Sequence, residues 1–469
     1  MIACPGCGGN LRFSPQLQQL HCSYCDNNYD PYAFDNKSKD GVEVEKDEFD
    51  DDSYETTIFT CPECGGEIES TDNEATGFCP FCGGSTIFYS RLSREKKPDY
   101  VIPFTKTKED CKAAYAKRAK KALFLPKEYK DPKFIDGFRG IYMPYWSYDV
   151  DQIGPYMLSG EKSYRRGDYI YTSHYALTGE IDAFYHGYSH DASSSFSDEI
   201  SEGIAPFNVK EKKKFTAGYL SGFYADTADV DALVYANEAR EFANEESFRQ
   251  IKRIPAYSGV AIDKKKNAGR INSMITQENR TMFPVWFMSY RFDDKRVTYA
   301  TVNGQTGKVF ADFPIDIRKY LGFAAIISVV LFLLMNFMVT IKPNIVSGWT
   351  AALSVVALIL FGVEHGRIKA RETAQNDRGL LSKKANRQKG KAGGYRTPPF
   401  PIIMGIAACV ISTIAFFSNT INDEIHYIAS LVSSVCIAVT LIYLIKDYNM
   451  LSTRRLPQFD KKGGDDGAE

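Results

Sequence analysis

The sequence predicts a multidomain chain: two N-terminal Cys4 zinc ribbons of small β type, a central α+β domain with antiparallel sheet, and a C-terminal four-helix transmembrane region. Three observations carry this. One cysteine motif occurs twice near the start, aromatic and β-branched runs fill the middle, and four long apolar runs follow.

Cys4, Cys7, Cys22 and Cys25 shift by 57 positions onto Cys61, Cys64, Cys79 and Cys82 without a gap, so residues 1–34 and 56–92 read as two copies of one unit. Two Cys-x-x-Cys knuckles at this spacing supply the four soft ligands that tetrahedral zinc requires. The glycine pairs Gly8–Gly9, Gly65–Gly66 and Gly83–Gly84 follow knuckles, where the chain turns through a positive φ that glycine tolerates. A disulfide framework is the competing reading. The start of the chain has no signal-peptide pattern, which places these cysteines in a reducing compartment and favours metal. Four thiolates leave no open position, so two structural Zn2+ ions are expected, each supplying folding free energy to a module too small to fold alone. Cys111, Cys409 and Cys436 read as buried packing residues.

At 469 residues, 44% hydrophobic and with a net charge of -1, the chain can bury a large core. The small net charge hides segregation. Residues 35–55 contain nine acids against three lysines up to Ser53, which reads as a flexible acidic linker.

Four runs are long and apolar enough to cross a bilayer: 320–341, 345–363, 400–422 and 425–445. Short links arrange them as two hairpins. The intervening loop, 364–399, holds ten Lys or Arg and three acids, whereas the links within the hairpins hold one Lys and no Arg. By the positive-inside rule this basic loop faces the cytoplasm, as do both termini and the tail at 446–469, which gives a multi-pass protein of the cell (inner) membrane. The same loop can touch anionic membrane lipid. His426 lies at the end of a span and Asn336 within one, with no intramembrane acid or base beside them, so a transport path is disfavoured. The "GFAA" and "GIAA" stretches are expected to pack the helices.

The region 98–316 supplies the central domain. Thr107 and Asp110 form a capping box ahead of a helix whose apolar face carries Cys111, Ala114, Tyr115, Ala119, Ala122 and Leu123. "GIYMPYWSYDV" and "MFPVWFMSYRF" share a Pro-x-Trp core, at Pro144 with Trp146 and Pro284 with Trp286. They read as edge strands, equivalent strands of two related halves. "RVTYATVNGQTGKVFADF" reads as a hairpin turning at Asn303 to Gly307. A second helix is expected over 228–252 through Val230, Leu233, Val234, Phe242 and Ile251.

Little in this region indicates catalysis, and the chain is not read as an enzyme. "NGQTGKV" lacks the first glycine and the final Ser or Thr of a phosphate loop, having Val302 and Val309 in those places. His174, His186, His190 and Asp191 contain a His-x-x-x-His pair at 186 and 190. Gly187, Tyr188 and Ser189 disfavour the helix that would align it, so metal binding there is not expected. Asp191 with Ser193, Ser194 and Ser195 lacks a nucleophile elbow.

The paired ribbons, with "KPDYVIPF" at 97–104, "GIYMPYWSYD" at 140–149, "YLSGFYAD" at 219–226 and "VNGQTGKVFADFP" at 302–314, resemble the bacterial double-zinc-ribbon membrane proteins. Members are labelled transcription-factor-type zinc ribbons or primosomal helicase-like proteins. The resemblance implies zinc at all eight cysteine positions and, as partners, flotillin-like and phage-shock-type proteins of envelope-stress systems.

The helicase label meets an electrostatic objection. Residues 1–34 carry Arg12 against Asp26 and Asp30, and residues 56–90 carry five acids without a Lys or Arg, whereas phosphate binding needs a basic footprint. Nucleic acid is therefore disfavoured as a partner, and Phe13, Tyr24, Phe78 and Phe81 are expected to pack over the knuckles. The resulting expectation is a membrane-anchored zinc-ribbon adaptor or scaffold for protein partners. A membrane-tethered nucleic-acid-binding regulator is the alternative, and small-molecule binding or transport is the third reading.

Overall fold

The computed structural model describes residues 2–34, 53–70, 79–84, 89–194, 196–293, 296–338, 341–372, 399–418 and 423–455. The expected linker up to residue 52, most of the basic loop (373–398), Phe78, Ser195 and the tail beyond 455 lie outside the described residues, and so does the side chain of Asn336.

In the first module β1 (Leu11–Ser14), β2 (Gln19–Cys22) and β3 (Asn28–Tyr29) form an antiparallel sheet. In the second, β4 (Ser53–Thr60) is flanked antiparallel by β5 (Glu67–Ser70) and β6 (Tyr89–Lys96). Among the described residues the strands of the second module reach from Ser53 to Lys96, beyond 56–92 at both ends. Tyr54 ties β4 to the central domain: its ring meets Phe215 at 5.3 Å, and its hydroxyl donates to Glu69.

The central domain adds β7 (Tyr100–Val101), α1 (Lys108–Lys121), α2 (Pro132–Ile135), β8 (Arg139–Arg166), β9 (Tyr169–Asp191) and α3 (Asp198–Ile204). Then follow β10 (Lys213–Lys214), β11 (Tyr224–Ala225), α4 (Leu233–Lys252), β12 (Ala261–Ile262), β13 (Met274–Asp293), β14 (Arg296–Asn303) and β15 (Val309–Ala311). Most pairs are antiparallel, with short parallel pairings of β7 to β13 and β11 to β8. Since β11 also pairs with β5, the second module is continuous with the central sheet, which has thirteen strands among the described residues.

The two Pro-x-Trp segments are not edge strands. β8 and β13 are neighbours, with Pro144 opposite Met282 and Pro284 opposite Tyr142. A proline normally breaks a central ladder because it has no N–H. Here the carbonyl of Pro144 accepts from Ala192 and that of Pro284 from Gly304. Both residues therefore direct their polar edge away from the β8–β13 ladder, toward points where one flanking strand gives way to another.

The expected capping box is present in α1, and Cys111, Tyr115 and Ala119 are buried. Leu123 is 76% exposed, because the helix has ended at Ala122 before reaching it. The second helix starts at Leu233 and buries Tyr235, Ala236, Ala239, Ala243, Ser247, Phe248 and Ile251, while Leu233 and Phe242 face outward. Small residues let α4 lie close to β8 and β9, so the buried stripe is poorer in large apolar side chains than the sequence reading assumed. The β14–β15 hairpin turns as expected, with Gly307 at φ 77° donating to the Asn303 carbonyl.

β8 and β9 continue as a two-stranded arm beyond the point where β13 leaves β8 at Asp151, and among the described residues only β12 pairs with an outer edge. Tyr164, Tyr169, Ile170 and Tyr171 are exposed at its tip.

Among the described residues four helices are long and apolar enough to cross a membrane: α5 (Ile317–Met338), α6 (Pro343–Glu372), α7 (Pro399–Phe417) and α8 (Asp423–Leu451). α6 and α8 run beyond the expected spans, so 364–372 and 446–451 are helical. The last three pack together: Gly405 meets Leu358, Ala408 is fully buried, and Ser347 contacts His426 and Ser430. This uses the "GIAA" stretch as expected. The "GFAA" stretch does not join that group: no atom lies within 4 Å of a Cβ placed on Gly322, the apolar length of α5 is exposed, and Phe323 instead meets Phe124 of the central domain at 5.5 Å. The arrangement is one helix apart from a three-helix group rather than two equivalent hairpins. After α8 the chain returns to the domain, where β16 (Arg454–Arg455) pairs with β14 and Arg454 contacts Asp312 and Glu199.

Candidate metal centres

All four knuckles fold alike. The N–H of residues 8, 26, 65 and 83 donates to the carbonyl of the first cysteine of its knuckle, and that cysteine's N–H donates to the residue that follows. The left-handed position falls on Gly8, Gly65 and Gly83 at φ 71°, 73° and 70°. The Cys22–Cys25 knuckle places Asp26 there at φ 57°, without glycine. Only the first glycine of each expected pair takes positive φ.

These turns bring the cysteines together. Cys4 and Cys25 have sulfurs 3.6 Å apart and Cys7 and Cys22 3.4 Å; in the second cage Cys61–Cys82 is 3.9 Å and Cys64–Cys79 3.7 Å. In each cage all four sulfurs lie within 4.8 Å of one another. A disulfide would need about 2.05 Å. A tetrahedron with metal–sulfur bonds of about 2.3 Å has edges of about 3.8 Å, so both cages fit one ion of zinc's size. Burial opposes ionisation of Cys4, but the Tyr29 hydroxyl and the Gly6 and Cys7 amides stabilise the thiolate and bring it to about 6. Cys61 is lowered to about 7, chiefly by Cys64 and Cys79.

The cages differ in setting. Cys61, Cys64, Cys79 and Cys82 are all buried, whereas Cys7 is exposed and Cys25 partly so. The second cage is walled by β13 and β14: Arg291 Nε donates to the Cys82 carbonyl at 3.1 Å and its guanidinium pairs with Glu63, while Tyr299 Oη donates to the Phe81 carbonyl at 2.7 Å. Phe81 packs against Phe287. The first module docks by its strands, with Phe13 N–H donating to the Ser221 carbonyl and Ser221 Oγ to the Leu11 carbonyl. Phe13 meets Tyr219 at 5.1 Å instead of covering a knuckle, and Tyr24 lies across Gly9 with 79% of its surface exposed.

His174 and His186 do not join His190 and Asp191. His174 faces Glu161 on the arm and His186 faces Asp149 where β8 still pairs with β13, and both imidazoles are exposed. The extended strand separates them, as the glycine-containing spacing implied. His190 and Asp191 instead meet Asp198, from the first turn of α3, in a buried group whose ligand atoms lie within 4.8 Å of one another. Burial works to lower the His190 pKa, yet contact with Asp191 and its charge raise it to about 9; burial pushes the Asp191 carboxyl up. Next to them Ser193 donates to Asp226 and Ser194 to Asp229, so these serines are engaged with carboxylates. Asp198 was not legible as a site residue: Asp191 ends a strand and Asp198 begins a separate helix, so no single element's periodicity connects them.

With four membrane-length helices among the described residues, the chain is a membrane protein, and it carries two tetracysteine centres that could hold metal. No family model matches the sequence. The chain is 28% identical over 322 residues to the uncharacterized protein YdjG of Bacillus subtilis (strain 168), an alignment spanning 67% of this chain and 90% of that protein. No solved structure matches.

Proposed function

We propose that the protein is a membrane-anchored zinc-ribbon adaptor that holds protein partners at the inner face of the cell membrane, as the double-zinc-ribbon resemblance implies for envelope-stress systems with flotillin-like or phage-shock-type partners. Thiolate cages of this size select zinc over harder ions, and a closed shell serves folding. The basic segment between the second and third spans orients the domain toward the cytoplasm.

The observation that carries the adaptor reading is the β8–β9 arm. Its tip exposes Tyr164, Tyr169, Ile170 and Tyr171 on a hairpin that extends beyond the sheet, and clustered exposed aromatics are the material of protein interfaces. Both ribbons are built into the platform, so the arm and the open side of the first module near Tyr24 are the surfaces offered.

The test is a crosslinked pull-down from native membranes, comparing the full chain with a Tyr169→Ser, Ile170→Ser, Tyr171→Ser variant. Specific proteins recovered with the full chain and lost from the variant support the adaptor. Tip-dependent recovery of nucleic acid in their place overturns it in favour of a membrane-tethered regulator.

A further inference from the structure

His190 and Asp191 end β9, and Asp198 begins α3. Their side chains are 6%, 1% and 7% exposed, so polar atoms here have lost water and need partners inside the protein. Two of them have no hydrogen-bond partner: His190 Nδ1 and Asp191 Oδ1, both fully buried, face each other at 3.2 Å without the alignment of a hydrogen bond. Two ligands on one cation with bonds of about 2.1 Å are separated by about 3.0 to 3.4 Å. The spacing is that of a shared coordination edge.

The surroundings match a metal's outer shell. Glu238 Oε2 lies 3.9 Å from His190 Nε2, the ring nitrogen that would point away from an ion on Nδ1, and such carboxylate–histidine pairs orient metal ligands. The Tyr235 ring stacks on the imidazole at 3.7 Å and 13°, and its hydroxyl donates to Asp198 Oδ1 at 3.3 Å. Ring and carboxylate are thus held by one tyrosine. With a neutral imidazole, Asp191 and Asp198 carry two negative charges, which one divalent cation neutralises. Glu238 is the least buried member and marks the side of entry.

We propose that His190, Asp191 and Asp198 bind a third metal ion, a divalent first-row cation of the Mn2+, Fe2+ or Zn2+ class, inside the central domain. One nitrogen and two carboxylates form a harder donor set than the thiolate cages. The site therefore discriminates by chemistry from the two ribbons. It does not depend on the adaptor reading.

The experiment uses full-length protein in detergent with zinc in both ribbons, titrated with Mn2+ and followed by the six-line resonance of the free ion. The expected result is one equivalent bound per chain, with affinity reduced at least tenfold by Glu238→Gln and binding lost in Asp191→Asn. If Asp191→Asn fails to fold, Glu238→Gln and the wild type still decide. A free-ion signal that grows in proportion to added Mn2+ in the wild type, together with two metal ions per chain after equilibration with both metals, overturns the proposal and leaves a protonated His190 between carboxylates.

Discussion

Tyr299, on β14, donates its hydroxyl to the carbonyl of Phe81, inside the last knuckle of the second cysteine cage, at 2.7 Å. Both residues are buried, and 218 positions of sequence separate them. Removing the hydroxyl leaves a buried carbonyl without this donor, at a cost of about 1–3 kcal/mol. Tyr299→Phe is expected to make the second centre release metal at lower chelator concentration while the first is unaffected. Metal release followed with a chromophoric chelator checks this; equal retention in mutant and wild type would show that the clamp contributes nothing.

The Cys22–Cys25 knuckle performs with Asp26 what the other three perform with glycine. A left-handed conformation costs an L-residue about 1–2 kcal/mol relative to glycine. Asp26→Gly should therefore strengthen metal retention in the first module by about 1 kcal/mol, since Asp26 lies on the surface and its loss removes only a long contact with His21 at 3.7 Å. Competition against a chelator of known affinity measures the gain. A weaker centre would sink the conformational explanation.

The asymmetry of the membrane helices yields a paired test. A Cβ on Gly405 would lie 2.4 Å from Leu358, whereas one on Gly322 meets nothing. Gly405→Val is expected to destabilise the three-helix group by about 1–3 kcal/mol through overpacking, and Gly322→Val to be neutral. Thermal denaturation in detergent distinguishes the two. Equal sensitivity would mean that the first helix packs against something in the membrane.

Acidification should fray α1 from its start. Asp110 is held below its ordinary 3.8 by the backbone and hydroxyl of Thr107. Because its folded pKa is depressed, its contribution is present above the unfolded value and is lost as pH falls through the folded one. Amide exchange at residues 108–111 should thus accelerate below about pH 4. Thr107→Ala should cost about 1 kcal/mol at neutral pH. Exchange that does not change across that window would exclude the capping carboxylate as the cause.

What was legible in the sequence was local or strictly periodic. Cysteines spaced for knuckles, Thr107 three positions before Asp110, and Asn303 followed by Gly307 each determine their structure within a few residues. Pro144 and Pro284 were misread because proline's missing N–H was taken as a property of the strand. It is a property of one side of it, and that side is known only when the flanking strands are placed. The docking of both cysteine modules, through Ser221, Arg291 and Tyr299, joins residues about two hundred positions apart and has no local signature. The grouping of Asp198 with His190 has none either. Hydropathy likewise registers α5 and α6 as equals, since it reports what lipid tolerates and not which helix another helix touches.

The short pairing of Arg454 and Arg455 with β14 has a topological consequence. The chain leaves the sheet for the bilayer just after β15 and is hydrogen-bonded to the same sheet directly after α8. Departure and return on one body require an even number of crossings, whatever the hydropathy of any single run. A variant that loses one span cannot keep both ends seated, and one half of that anchorage must then come away from the sheet or be pulled across the bilayer.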